Sequence, residues 1–299
     1  MSTKIINWAL LFLPFAGMAQ TTDDAIMMNK KQWCNGITYM HSSWNSYWEG
    51  TLKRTNKNLG TVTTQSAMLM TNYGITDKLN AIVSIPYIWT NASAGTLHGM
   101  KGFQDVDIDL KYNFYTTGIG KKGTINLIAV AGLSTPLTKY ENDFLPMSIG
   151  LGSTNLSGRL TADYQKGIFF ATVSGDFIWR SDITIDRTSY YTDGIHYTNK
   201  VYMPNQIYSN LFIGIRKPNL TIQAALMNMY TIGGFDIRRN DMPFASNQMN
   251  MTSVGGHVKY FIPYIRNLEV IAGADFVIAG RNVGQSQTYT GGLYYVLSL

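Results

Sequence analysis

A chain of 299 residues with only 14% charged side chains and 13% aromatic ones carries too little charge to coat a soluble domain, where about 25% is usual. Its single cysteine excludes an intramolecular disulfide framework, and beyond residue 20 no run of 18 apolar residues is present to build a membrane-crossing helix. The net charge of +6 is carried mostly by predicted loops, as at Lys53, Arg54, Lys57, Arg238 and Arg239, without the basic patch of a nucleic-acid module.

Taken from the N-terminus, Lys4 precedes an apolar run from Ile5 to Phe15, broken by Asn7, and then Gly17-Met18-Ala19 before Gln20. This reads as a secretory signal peptide over residues 1–19, too short to span a bilayer, which takes about 20 apolar residues. Export makes nucleic acid an unexpected partner. Residues 20–35 then form a short segment ahead of the first strand. Cys34, beside Trp33, does not directly follow the apolar run and so is not a lipidated N-terminus; it reads as a small, partly buried residue.

From residue 36 onward the pattern is period two, and long patterns of period 3.6 are absent. Twelve alternating segments are predicted, at 36–49, 61–73, 79–90, 104–116, 124–136, 154–165, 168–180, 204–216, 219–232, 248–261, 268–280 and 288–299. Each is long enough for the roughly 9 to 11 residues of a tilted membrane strand. The fourth shows the pattern best: Val106, Ile108, Leu110, Tyr112 and Phe114 share one face, and Asp107, Asp109, Lys111 and Asn113 the other. Segments 124–136 and 219–232 alternate less cleanly.

Connections between these segments alternate between short and mostly long, as in a membrane barrel with turns at one end and loops at the other. Aromatic residues gather at segment ends, with Trp44, Trp48, Trp89, Trp179 and Tyr230 expected in an outer girdle and Tyr112, Phe114, Tyr164, Phe169 and Tyr260 in an inner one. Backbone groups in lipid must pair internally, so such strands have to close on themselves. The expectation is an all-β fold, a twelve-stranded antiparallel transmembrane β-barrel over residues 36–299, with residues 20–35 in the periplasm. A secreted β-sandwich or lipocalin-like barrel is the soluble alternative, and it should carry more surface charge.

The inward faces supply the candidate functional residues: Asp107, Asp109, Lys111, Arg159, Asp163, Asp176, Arg180, His257, Lys259, Glu269 and Asp275. Two readings stand side by side, an ion-pair network filling a narrow lumen and a polar constriction that sorts solutes by charge. The loop 181–203 offers Arg187, Tyr190, Tyr191, His196 and Tyr197 as groups to grip an aromatic solute at the mouth, or an exposed loop without regular structure. Gly118-Ile119-Gly120-Lys121-Lys122-Gly123 matches a dinucleotide fingerprint in letters, but a strand follows it where a helix is required, so it is a turn. The four histidines show no metal-ligand spacing, and His41-Ser42-Ser43 and Ser253 with His257 are the only places to look for a nucleophile beside a base. No cofactor is expected.

Tyr73-Gly74-Ile75-Thr76-Asp77, Val83-Ser84-Ile85-Pro86-Tyr87 and the charged strand opening at Asp105 after Gly102 resemble the outer-membrane barrel family named for the MetA pathway of phenol degradation. The likeness covers Tyr73–Tyr87 and Gln104–Phe114, and Phe103-Gln104 intervenes where the family has Gly-Asp. The resemblance implies a channel for small hydrophobic or aromatic molecules. The expected function is therefore passive passage of such molecules, as a monomer in contact with outer-membrane lipid of a Gram-negative bacterium, with no enzyme activity. A non-conducting structural or surface-interaction barrel, and behind it a barrel-embedded lipid hydrolase, are the alternatives. Gly74 is expected to take an unusual φ in a tight turn, with Asp77 bonding the turn backbone.

Overall fold

The computed structural model describes residues 21–239, 241–265 and 267–298; the expected signal peptide and Leu299 lie outside them. Twelve strands form one closed antiparallel barrel: β1 (Gln32–Trp44), β2 (Val62–Thr76), β3 (Leu79–Ala92), β4 (Asp105–Ile119), β5 (Gly123–Pro136), β6 (Asn155–Lys166), β7 (Phe169–Arg180), β8 (Asn205–Lys217), β9 (Leu220–Ile232), β10 (Asn250–Phe261), β11 (Leu268–Arg281) and β12 (Gln287–Ser298). Each strand pairs with its sequence neighbours. Closure comes from β12 on β1, with Gln32 opposite Ser298 and Ser43 opposite Gln287.

Alternation decides which side each residue takes. On β6 and β7, Leu160, Phe169 and Val173 are 66%, 66% and 54% exposed, whereas Thr161, Asp163, Thr172 and Ser174 on the opposite faces are buried. Apolar side chains outside and polar ones inside is the reverse of a soluble barrel, and it is the arrangement a lipid-facing wall requires. A bulge between Asn113 and Tyr115 lets both Phe114 and Tyr115 lie exposed at the short-turn end of β4.

Eleven of the predicted segments match their strands to within about three residues. The first does not: β1 runs from Gln32 and leaves the wall at Trp44, and Ser46–Glu49 turns into a separate hairpin with Leu52–Thr55. Trp48 is 8% exposed and its ring lies against Gly280, where any Cβ would intrude. Trp44 packs beside Leu59, Val62 and Met147. Both therefore sit on the inner side beneath the loops, and neither belongs to a lipid-facing girdle. Their even spacing mimicked a wall strand because the hairpin strand Ser46–Glu49 is itself extended and keeps period two.

The turns at 77–78, 120–122, 167–168, 218–219 and 262–267 lie at one end, and the longer loops gather at the other. Described residues of those loops pack against one another. Ile183, Ile185, Val201, Met203, Phe244 and Ala245 form a buried cluster, and Asn282 ties three loops together. Its Oδ1 accepts from Gly50 N at 2.8 Å and Ile237 N at 3.0 Å, while its Nδ2 donates to Asp236 Oδ1 at 2.7 Å and to the Gln248 carbonyl at 2.8 Å. Arg281 grips the same Asp236 with two bonds of 2.7 and 2.6 Å, and these bonds from Arg281 hold its carboxyl below the usual carboxylate range. Asn282→Ala takes the side-chain partner from three groups, the Gly50 and Ile237 N–H and the Gln248 carbonyl, each loss costing about 1–3 kcal/mol when buried, while Asp236 keeps its bonds from Arg281. Protease added to vesicles carrying this variant should cut within 45–61 and 233–249 at least about tenfold faster, with the wall intact; unchanged cleavage would refute the tie.

Candidate functional site

The inner wall is mixed in chemistry. Apolar Met70, Ile82, Ile128, Val130, Phe170, Phe212 and Val296 are buried alongside Asp109, Lys111, Asp163, Asp176, Arg180 and Glu269. Buried charges need partners, and the structure shows where most of them find one.

The largest cluster is built around a residue outside the wall. Lys111 on β4 is fully buried, and its Nζ donates to Asp24 Oδ1 at 3.0 Å and to the carbonyls of Thr21 at 2.8 Å and Ile26 at 2.9 Å. Lys259, on β10, donates to the other oxygen, Asp24 Oδ2, at 2.6 Å. β4 and β10 are not neighbours, so the two ammonium groups meet across the interior on one carboxylate. Thr22 Oγ1 donates to Asp109 Oδ2 at 2.5 Å, and Asp23 pairs with Arg159.

Residues 21–31 therefore lie within the barrel. They enter at the short-turn end, where Lys31 N donates to the Gly74 carbonyl at 2.8 Å and Lys30 N to Asp77 Oδ1 at 2.8 Å. Asn80 then clamps Met28 by accepting from its N–H at 3.1 Å and donating to its carbonyl at 3.2 Å. Met28 is buried with Cys34, Met70, Ile82, Tyr294 and Val296, and Ala25 with Ile128 and Val130. Cys34 is fully buried. Gly74 is absent from the positive-φ glycines; it is glycine because the Asn29 carbonyl occupies the place of a Cβ. Asp77 holds the N-terminal segment and not the turn. The expected reasons for both residues are thus replaced by one, the docking of this segment.

A second cluster spans β6, β7 and β8. Arg159 bridges Asp23 and Asp176, the latter at 3.2 Å. Asp163 accepts from Thr172 Oγ1 at 2.5 Å and from both terminal nitrogens of Arg216, at 3.1 and 3.2 Å. Arg216 also lies over the Phe170 ring at 4.1 Å. Arg216 was not singled out from the sequence; it shares the face of Asn210 and Phe212, and that parity was the signal for it. Thr172 and Asn80 were missed too, since uncharged polar residues on an inner face look ordinary.

The remaining candidates are placed apart from these clusters. His257 Nε2 is 3.0 Å from Asp275 Oδ1, and its Nδ1 is 3.3 Å from Gln223 Nε2. Arg180 reaches the Pro204 carbonyl at 3.5 Å. Glu269 is fully buried on β11, two residues from Ile271, the register partner of Lys259. Asp107 shares the face of Asp109 and stays exposed.

In the mouth loop, Ile183–Thr184 pairs with Lys200–Val201 and Tyr190–Tyr191 with Ile195–His196. Arg187 is engaged by Asp143, its Nε at 2.7 Å from Oδ2. Tyr190 stacks between His196 and Phe244, at 4.8 and 5.3 Å. Tyr191 meets Arg238, and Tyr197 is 83% exposed. The loop has regular structure: Tyr190 and His196 engage each other, while Arg187 and Tyr191 are held by Asp143 and Arg238 of neighbouring loops. Among the described residues no group of three His, Cys, Asp or Glu is placed to hold a metal ion.

Wall and interior together define the class: a closed, twelve-stranded antiparallel transmembrane β-barrel, the fold expected from the alternation and the loop lengths. No family model matches the sequence, and no curated protein matches it. Among solved structures, an outer membrane channel from Pseudomonas putida F1 is similar with a TM-score of 0.72, covering 95% of this chain and 99% of that one at 16% identity. Weaker likenesses are the translocator domain of the autotransporter NalP from Neisseria meningitidis, with TM-score 0.46 and 7% identity over 90% of this chain and 89% of that one, and the NanC porin, with TM-score 0.45 and 9% identity over 86% and 98%. At these identities the likeness is one of fold.

Proposed function

We propose that this chain is an outer-membrane channel that passes small, mainly apolar or aromatic molecules passively. The observation that carries the reading is the inverted chemistry of the barrel, with Leu160, Phe169 and Val173 outside and Lys111, Asp163 and Glu269 inside, because a wall so built encloses a polar interior shielded from lipid, through which a solute can be routed. The Pseudomonas putida F1 structure is described as an outer membrane channel, which supports the same reading. Apolar Ile82 and Ile128 on the inner wall, covered by Met28 and Ala25 while residues 21–31 are docked, suit solutes with little charge once that segment withdraws. The eleven charged and histidine candidates serve this route as lining and as anchors for the N-terminal segment. His257 is occupied by Asp275 and Gln223, which favours a pore-lining role over hydrolysis.

A second reading, a barrel without throughput, is favoured by one observation. Asp24 joins Lys111 to Lys259 across the interior, so the route is obstructed while residues 21–31 stay docked. The test is uptake of an uncharged aromatic probe by intact cells with and without the barrel. Faster uptake supports the channel, and equal uptake supports the closed barrel.

A further inference from the structure

A cavity of about 330 Å³ opens among the long loops, away from the buried ion clusters, lined by Trp44, Tyr47, Leu59, Leu97, Met242 and Pro243 with Asn56, Asp241 and others. We propose that it is a capture site for an uncharged small molecule bearing an aromatic ring and one hydrogen-bond acceptor. The proposal builds on the channel reading only in placing this face outside the cell.

Four features select that ligand. A 150 Å³ apolar cavity holds benzene, so about 330 Å³ suits one or two rings. Trp44 and Tyr47 present tilted rings, 6.2 Å apart at 59°, the geometry for edge and face contacts with a third ring. Asn56 is 9% exposed; its Oδ1 accepts from Leu59 N at 3.1 Å, while its Nδ2 has no acceptor among the described residues. A buried donor left unpaired costs about 1–3 kcal/mol, so an acceptor on the ligand that reaches it is rewarded. Among the described residues no lysine or arginine lines the cavity, and Asp241 does, so an anionic ring meets repulsion with no countercharge.

The site also has a built-in floor. The strap 241–243 separates it from a neighbouring polar cavity of about 220 Å³ that holds the Arg187 and Asp143 pair. A charged solute is thereby offered the other compartment, and the apolar one is left to uncharged rings.

The test uses the mature barrel in nanodiscs, read by ¹⁹F NMR line broadening of 4-fluoroanisole, with empty nanodiscs subtracted. Saturable broadening is expected, at least threefold weaker for 4-fluorotoluene, which lacks the acceptor, and undetectable for 4-fluorobenzoate. Met242→Trp and Leu97→Asp, both in loops outside the wall, should weaken 4-fluoroanisole at least tenfold while the heat-modified gel mobility of the barrel is unchanged. A linear isotherm equal to lipid partition, or saturable binding that ignores both variants, would overturn the site. Binding here without uptake in cells would sink the channel reading and leave the capture site standing; uptake with a linear isotherm would do the reverse.

Discussion

Asp24→Ala should raise single-channel conductance in planar bilayers several-fold and lengthen the open state. The native carboxylate accepts from two buried ammonium groups, Lys111 at 3.0 Å and Lys259 at 2.6 Å, and nothing else on residues 21–31 carries charge to both. Removing one partner of a buried pair costs about 3–5 kcal/mol; here Lys111 keeps only the carbonyls of Thr21 and Ile26, while Lys259 retains the field of Glu269. At about 1.4 kcal/mol per tenfold, the balance between docked and withdrawn segment moves by two orders of magnitude or more. What still holds the segment is the Asn80 clamp on Met28, the burial of Met28 and Ala25, and the Asp23 to Arg159 pair, so withdrawal competes with these and the wall itself stays closed. Asp24→Asn keeps one acceptor and should fall between the two. Traces of Asp24→Ala that match the native barrel would show that the segment does not limit passage.

Leu160→Arg is the second large effect. Leu160 sits at the middle of β6, opposite Ala129 on β5 and Gly175 on β7, so no neighbouring side chain covers it and it is 66% exposed. An arginine at the midplane of a lipid-facing wall costs about 2–4 kcal/mol, whereas an exposed leucine replaced on a soluble protein changes stability by within about 0.5 kcal/mol. Urea unfolding from lipid vesicles distinguishes the two. A loss near the larger figure is expected, and no measurable loss would mean that this face does not meet lipid.

The wall was legible because lipid imposes a simple rule on every strand. Val106, Ile108, Leu110, Tyr112 and Phe114 had to face one way for β4 to sit in a membrane, and the same parity recurs in β6, β7 and β11. It failed where the chain left the wall without losing the rhythm, at Trp44 to Glu49, since period two records extension and not membership of the barrel.

The interior was less legible. Asp109, Lys111, Arg159 and Lys259 could be assigned to one face, but they meet partners far away in sequence, on residues 21–24, and Asp163 likewise meets Arg216. Thr21-Thr22-Asp23-Asp24 is in the sequence only part of the short segment ahead of the first strand, and the buried cations it meets reveal why two acids stand together there. Gly74 and Asp77 illustrate the same limit: a motif that looks like local turn chemistry is explained by a segment more than forty residues upstream, whose Asn29 carbonyl and Lys30 N–H they receive.

Uptake of N-phenyl-1-naphthylamine by intact Gram-negative cells tests the central claim most directly, because intact lipopolysaccharide slows this uncharged aromatic amine unless a route exists. Cells producing the barrel should take it up several-fold faster than cells lacking it, and cells producing Asp24→Ala faster still. Equal rates in all three, with each protein present and folded in the outer membrane, would contradict a channel for small apolar molecules.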